Sequence, residues 1–131
     1  MTPHEQELLD ATVDLPYLKP PLSMNDRMHW ALRATWTRRL RDDAILLARK
    51  HRLPKGLSQV GIALHWQATT RRRRDSDNPA PTLKALVDGL VVYGLVADDD
   101  SGHVTSGCVI EAVASEARLW LRIVELTARA A

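Results

Sequence analysis

Residues 59–68 alternate without interruption, with Val60, Ile62, Leu64 and Trp66 on one side and Gly61, Ala63, His65 and Gln67 on the other. Successive side chains in a strand point to opposite faces, so this segment reads as a strand with one apolar face. A polar run, Thr69 to Asn78, follows it. Leu83, Leu86, Val87, Leu90 and Val91 then recur at the 3, 1, 3, 1 spacing of a buried helical stripe. Pro81 suits the first turn of that helix, where its missing N–H is not needed, and Gly94 suits the left-handed position that ends it. A chain that sets these two periodicities side by side is a layered domain of helix on sheet.

The flanking segments extend the pattern. Ala11, Val13, Leu15 and Tyr17 alternate with polar partners, which predicts a first strand over 11–18, confined to a sheet edge by Pro16. Lys19 to Asn25 is a loop by its prolines. Leu32, Trp36, Leu40, Ala44 and Leu47 step by four, four, four and three, predicting a helix from Trp30 to His51 with one apolar stripe. After the acidic turn 98–102, two more strands are expected, at 104–114 and 118–127, joined by a hairpin at Ser115-Glu116-Ala117. The order β-α-β-α-β-β indicates an α+β domain with two helices packed on one mixed sheet. At 131 residues, 45% hydrophobic, the chain supports a single core over 1–131, with 1–10 as a flexible arm. No apolar run reaches membrane-spanning length; the N-terminus resembles no signal or transit peptide. The single Cys108 excludes an internal disulfide and a cysteine-based zinc site, and fits a reducing cytoplasm.

Charge is distributed unevenly. The net value of +2 by itself argues against nucleic acid, but it averages opposed patches. Between Arg27 and Lys55, nine basic residues face only Asp42 and Asp43, and Arg71, Arg72, Arg73 and Arg74 add four more. Much of the opposing charge sits in Asp75, Asp77 and Asp98-Asp99-Asp100, on either side of the second helix. An extended Arg74–Asp77 stretch projects Asp75 and Asp77 to the same side. The helix that follows spans about 20 Å, so its own two ends cannot meet. The acidic turn is therefore expected to return across the sheet, beside the end of the strand near Arg74.

Carboxylates gathered in this way repel one another unless a hard divalent cation neutralises them. Oxygen-only ligands with an incomplete shell suit Mg²⁺, with Mn²⁺ as a substitute. Such an ion polarises a phosphodiester and activates water. Lys84, one turn into the helix with Asp88 four residues on, is positioned for a phosphate's developing charge. Each feature also has a plain reading. Asp-x-Asp-Asn is a good turn and helix cap. The Asp98–Asp100 run is a solvated turn, Lys84–Asp88 an i,i+4 surface pair, and the arginines a solvated loop. What the plain readings leave unexplained is the meeting of all four in one short window around one helix.

This window resembles the signature of the RusA-type Holliday junction resolvases. Arg-Arg-Arg-Arg-Asp75-Ser-Asp77-Asn78 is followed by Lys84, Asp88, Gly94 and Asp98-Asp99, in the family's order and spacing from Lys84 onward. Pro20-Pro21-Leu22-Ser23-Met24-Asn25 resembles the family's N-terminal segment, whereas Pro79–Leu83 makes a longer link than the family's. The resemblance runs from about Pro16 to Leu126. It implies a small homodimeric, Mg²⁺-dependent endonuclease of bacteria or phages that cuts four-way and other branched DNA, with no nucleotide cofactor and no membrane. It implies that Asp75, Asp77 and Asp99 hold the metal and that Lys84 is the catalytic or phosphate-binding lysine. Asp98 and Asp88 become supporting candidates, Asp98 being the alternative ligand. Arg71, Arg72, Arg73, Arg74 and Asn25 become DNA contacts. A cytoplasmic location is expected.

The remaining residues offer less. The five histidines form no metal set, and His65 reads as packed or surface, His103 as part of a solvated turn. No Ser-His-Asp arrangement and no glycine-rich phosphate loop is present. Trp36, Trp66 and Trp120 read as core, and Trp30 as a base-stacking candidate. Two rival functions stand beside the nuclease: a non-catalytic DNA-binding protein that retains the fold, and a D-x-D enzyme acting on sugar nucleotides or phosphomonoesters.

Overall fold

The computed structural model describes residues 8–71, 74 and 78–126. Six elements run in the order β1 (Asp10–Asp14), α1 (Trp30–Lys50), β2 (Val60–Gln67), α2 (Ala80–Tyr93), β3 (Val104–Ile110) and β4 (Arg118–Glu125). They form an α+β domain of two helices against a four-stranded mixed sheet, ordered β1-β4-β2-β3. β4 pairs antiparallel with both β1 and β2, and β3 pairs parallel with β2. A parallel pair needs a crossover, and α2 supplies it. No helix among the described residues is long and apolar enough to cross a membrane.

The expected alternation holds in β2, where Val60, Ile62 and Leu64 are buried against the helices. Register aligns Ile62 with Ile123 and Leu64 with Leu121, and Leu121 with Val13, so one continuous apolar face crosses three strands. In α2 the buried set is Thr82, Leu83, Ala85, Leu86, Val87, Gly89 and Leu90. Gly94 closes the helix at φ 102°, in the left-handed region. Gly89 marks the crossing with α1: a Cβ there would lie 2.4 Å from the Arg41 carbonyl oxygen and 2.8 Å from the Ala44 Cβ.

Four expectations are corrected. The buried stripe of α1 is Leu40, Ala44 and Ala48, while Leu32 is 50% exposed and Leu47 only half-buried. α1 has 21 residues and α2 has 14, so about 10 Å of α1 has no second helix to lie on. The strands expected at 104–114 and 118–127 are shorter, and no hairpin joins them. β3 and β4 flank β2 on opposite sides, so residues 111–117 must pass across its end. On the way, the Glu111 and Ala114 N–H groups donate to the Trp66 and Ala68 carbonyls. β1 stops at Asp14, two residues before Pro16, although Leu15 and Tyr17 remain buried.

No tryptophan belongs to the fully buried core, against expectation. Trp30 is 76% exposed. Trp66 is only half-buried at the far end of β2, where the strand opens into a cleft. Trp120 alternates with Leu119 and Leu121 and so falls on the outer face of the sheet. There it stacks on His65 with ring centroids 5.0 Å apart. His65 also holds Glu111 at 2.5 Å, which makes it a packed histidine, as its strand position indicated.

Candidate functional site

The site begins with the placement of α2. Its first turn carries Thr82, fully buried, whose hydroxyl donates to the Leu22 carbonyl at 2.7 Å and accepts the Leu22 N–H at 3.0 Å. One side chain thus satisfies both backbone groups of a loop residue that has no strand or helix partner. The Met24 N–H donates to the Asn78 carbonyl at 2.9 Å. The proline-rich loop is therefore pinned to the entry of α2. Sequence reading missed Thr82, whose signal is a polar residue among the apolar positions of an otherwise buried turn.

Lys84 lies two residues further and is mostly exposed. Its ammonium sits 3.7 Å from the Asp99 carboxylate and 3.8 Å from that of Asp88. Residues fifteen apart in sequence thus meet because the chain turns back after α2. A cleft of about 620 Å³ surrounds them, walled by Met24 and Pro81 on one side and by Ser106 and Cys108 of β3 on the other. Ser106 and Cys108 share the inward face of β3 with Val104, and sequence reading gave them no role.

The route back differs from the expected one. Val104 pairs with Val60, the first residue of β2, so the acidic turn lies beside the start of that strand and not beside its Arg74 end. What connects Asp99 with the opposite end is the cleft itself: Ala80 and Pro81, at the entry of α2, line it together with Asp99.

The three acidic-turn residues have separate tasks. The Asp98 carboxylate accepts the Asp99 N–H at 2.7 Å. The Asp100 carboxylate accepts the Gly102 N–H at 2.9 Å and meets His103 Nδ1 at 2.7 Å. The His103 hydrogen bond, ahead of the two backbone N–H bonds, holds the Asp100 carboxyl below its ordinary range. Asp98 and Asp100 thus shape the turn, and Asp99 is the member that faces Lys84.

Other expected site residues fall elsewhere. Asp75, Asp77, Arg72 and Arg73 lie outside the described residues. Arg71 is exposed. Arg74 donates to the Thr70 carbonyl and hydroxyl at 2.8 and 3.1 Å, and its guanidinium lies 5.1 Å from the Trp66 ring centre. Asn25 and Arg74 line a second cleft, separated from the acidic one by the loop around Met24. Trp30 lines neither. Among the described residues no three His, Cys, Asp or Glu side chains gather closely enough to hold a metal ion. Asp99 and Asp88 offer oxygen donors at one edge of the acidic cleft, the donor chemistry of a Mg²⁺ site.

Comparison with known protein families and with curated proteins returns no match to this chain.

Proposed function

We propose that this chain is a Mg²⁺-dependent, structure-specific endodeoxyribonuclease of the RusA type that resolves four-way and other branched DNA as a homodimer. The observation that carries this reading is the meeting in one cleft of the Lys84 ammonium with Asp99 at 3.7 Å and Asp88 at 3.8 Å, from two separate stretches of the motif window. An ammonium between two carboxylates is a poor surface device, since an exposed pair contributes at most about 1 kcal/mol. It is a good way to keep a phosphate-binding cation aimed along a cleft.

In this proposal Asp99 holds the metal ion together with Asp75 and Asp77. The ion supplies charge neutralisation at the scissile phosphate and an activated water. Lys84 binds a non-bridging oxygen of the phosphate and offsets the charge that builds there during attack. Asp88 holds the Lys84 ammonium in position, and Asp98 orients Asp99 through its backbone. Hydrolysis leaves 5′-phosphate and 3′-hydroxyl ends. Arg71–Arg74, with the basic face of α1, attract the backbone of the DNA. A junction needs two symmetric cuts, which a two-fold dimer supplies.

The test is cleavage of a synthetic four-way junction beside linear duplex, with Mg²⁺ and with EDTA. The wild type is expected to cut the junction only with Mg²⁺, and Asp77→Asn and Asp99→Asn to lose at least about a hundredfold in rate. Tight junction binding without Mg²⁺-dependent cutting would leave a non-catalytic DNA-binding protein. Weak, salt-insensitive binding would exclude a polyanion substrate altogether.

A further inference from the structure

On the other side of the Met24 loop lies a larger cleft of about 960 Å³, within the range of sites that enclose a small organic group. Its surfaces combine three chemistries. Trp36 and Trp66 contribute indole rings, Lys19 and Arg74 positive charge against the carboxylate of Asp26, and Asn25 and Asn78 side-chain amides. Both indoles are braced. Trp36 is held edge-on by Tyr17 at 5.9 Å and covered by Arg39 at 4.9 Å. Trp66 is covered by Arg74, which Thr70 fixes in turn.

Asn78 supplies an independent indication. Its Oδ1 is shielded from solvent and accepts no hydrogen bond. A buried acceptor without a donor costs free energy, and a rotation of the Asn78 amide that turns the oxygen toward a donor entering the cleft would recover it. An amide exchanges its oxygen and nitrogen by a flip, so a complementary partner needs both donor and acceptor groups. A flat aromatic group bearing such an edge and attached to an anion meets all these demands together. A nucleobase on its sugar-phosphate is that object.

The two clefts also stand in the right relation. Met24 lines the acidic cleft, while its neighbours Ser23 and Asn25 line the aromatic one. One turn of loop thus separates them, and its N–H bond to Asn78 fixes that wall.

We propose that the aromatic cleft receives one unstacked nucleobase of the nucleotide adjoining the phosphate held at Lys84 and Asp99. The proposal rests on the nuclease reading for the position of that phosphate. A base within a duplex cannot enter, because it must first leave its stack. The cleft therefore selects DNA whose bases are already loosened, as at a branch point, and Asn25 and Asn78 read the edge of the base that enters.

The experiment uses the full chain in EDTA, so that binding is measured without cleavage. Four-way junctions carrying a single abasic nucleotide at successive positions around the branch point are compared with the intact junction. One position is expected at which base removal weakens wild-type binding about tenfold, the scale of one stacked base. Trp66→Leu should bind the intact and abasic junctions equally. Asn78→Ser, which leaves the indole wall in place, should narrow the same gap. Equal wild-type affinity for every abasic junction would overturn the proposal, as would a Trp66→Leu and Asn78→Ser pair that both keep the wild-type gap. Mg²⁺-dependent cutting is followed in parallel. Cutting without any base dependence sinks only the cleft, and base-dependent binding without cutting sinks only the nuclease reading while supporting the cleft.

Discussion

Gly89→Ala isolates the contact that seats α2. The new Cβ would lie 2.4 Å from the Arg41 carbonyl oxygen, 2.8 Å from the Ala44 Cβ and 3.0 Å from the Arg41 Cα. Carbon atoms in good contact sit about 3.5–4.0 Å apart, so the helices must separate by roughly 1 Å. Two of the three obstructing atoms are backbone, which has no rotamer to change. Overpacking of this kind costs about 1–3 kcal/mol. Alanine returns about 0.5–1 kcal/mol, because it orders more cheaply than glycine in a helix. The difference spans about 0–2.5 kcal/mol, and a 2.4 Å approach to backbone puts the net loss in the upper part of it, about 1–2 kcal/mol. With a urea slope of about 1–3 kcal/mol per molar, the unfolding midpoint should fall by roughly 0.3–2 M. Gly107→Ala is the control: its Cβ meets nothing within 4 Å, and the change should stay within about 0.5 kcal/mol. A Gly89→Ala protein that melts at or above the wild-type midpoint would refute the packing argument. Because α2 carries Lys84 and Asp88, the nuclease proposal further expects a folded Gly89→Ala protein to cut junctions more slowly.

Thr82→Val keeps the shape of the side chain but leaves the Leu22 N–H and carbonyl without partners. Urea denaturation should show a loss of roughly 2–4 kcal/mol, the cost of a buried donor and acceptor left unmade, and limited proteolysis should cut the Lys19–Met28 loop faster. Tyr17 is expected to respond to alkali. Burial first, and then its hydrogen bond to the Asp43 carboxylate, raises its pKa above the ordinary 10.0. Above that value the unfolded chain releases the phenolic proton while the folded chain keeps it, so stability falls as pH rises. Urea midpoints from about pH 8 to about pH 11 should therefore decline more steeply for the wild type than for Tyr17→Phe.

Local periodicity was enough to determine most of the fold of this protein. The alternation in β2 and the 3, 1, 3, 1 stripe in α2 depend on nearest neighbours in sequence, and both appear where the residues indicated. The element order and the edge position of β1 follow from the same rules, with Pro16 as the marker. Sequence also singled out Lys84, Asp88 and Asp99 as members of one motif. Their meeting in a single cleft, and the selection of Asp99 over Asp98 and Asp100 to face Lys84, belong to the tertiary structure. Which carboxylate folds back onto its own turn depends on backbone N–H directions that residue identity does not specify. Strand adjacency was likewise beyond local reading. A hairpin between β3 and β4 and a parallel β2–β3 pair both suit these sequences, and only the shared burial of β2 between its two neighbours decides. The tryptophans make the same point. Periodicity assigns a residue to a face, but whether that face meets a helix, a cleft or solvent depends on where the covering helix ends. Trp66 meets a cleft that it lines together with Trp36 of α1 and the proline-rich loop.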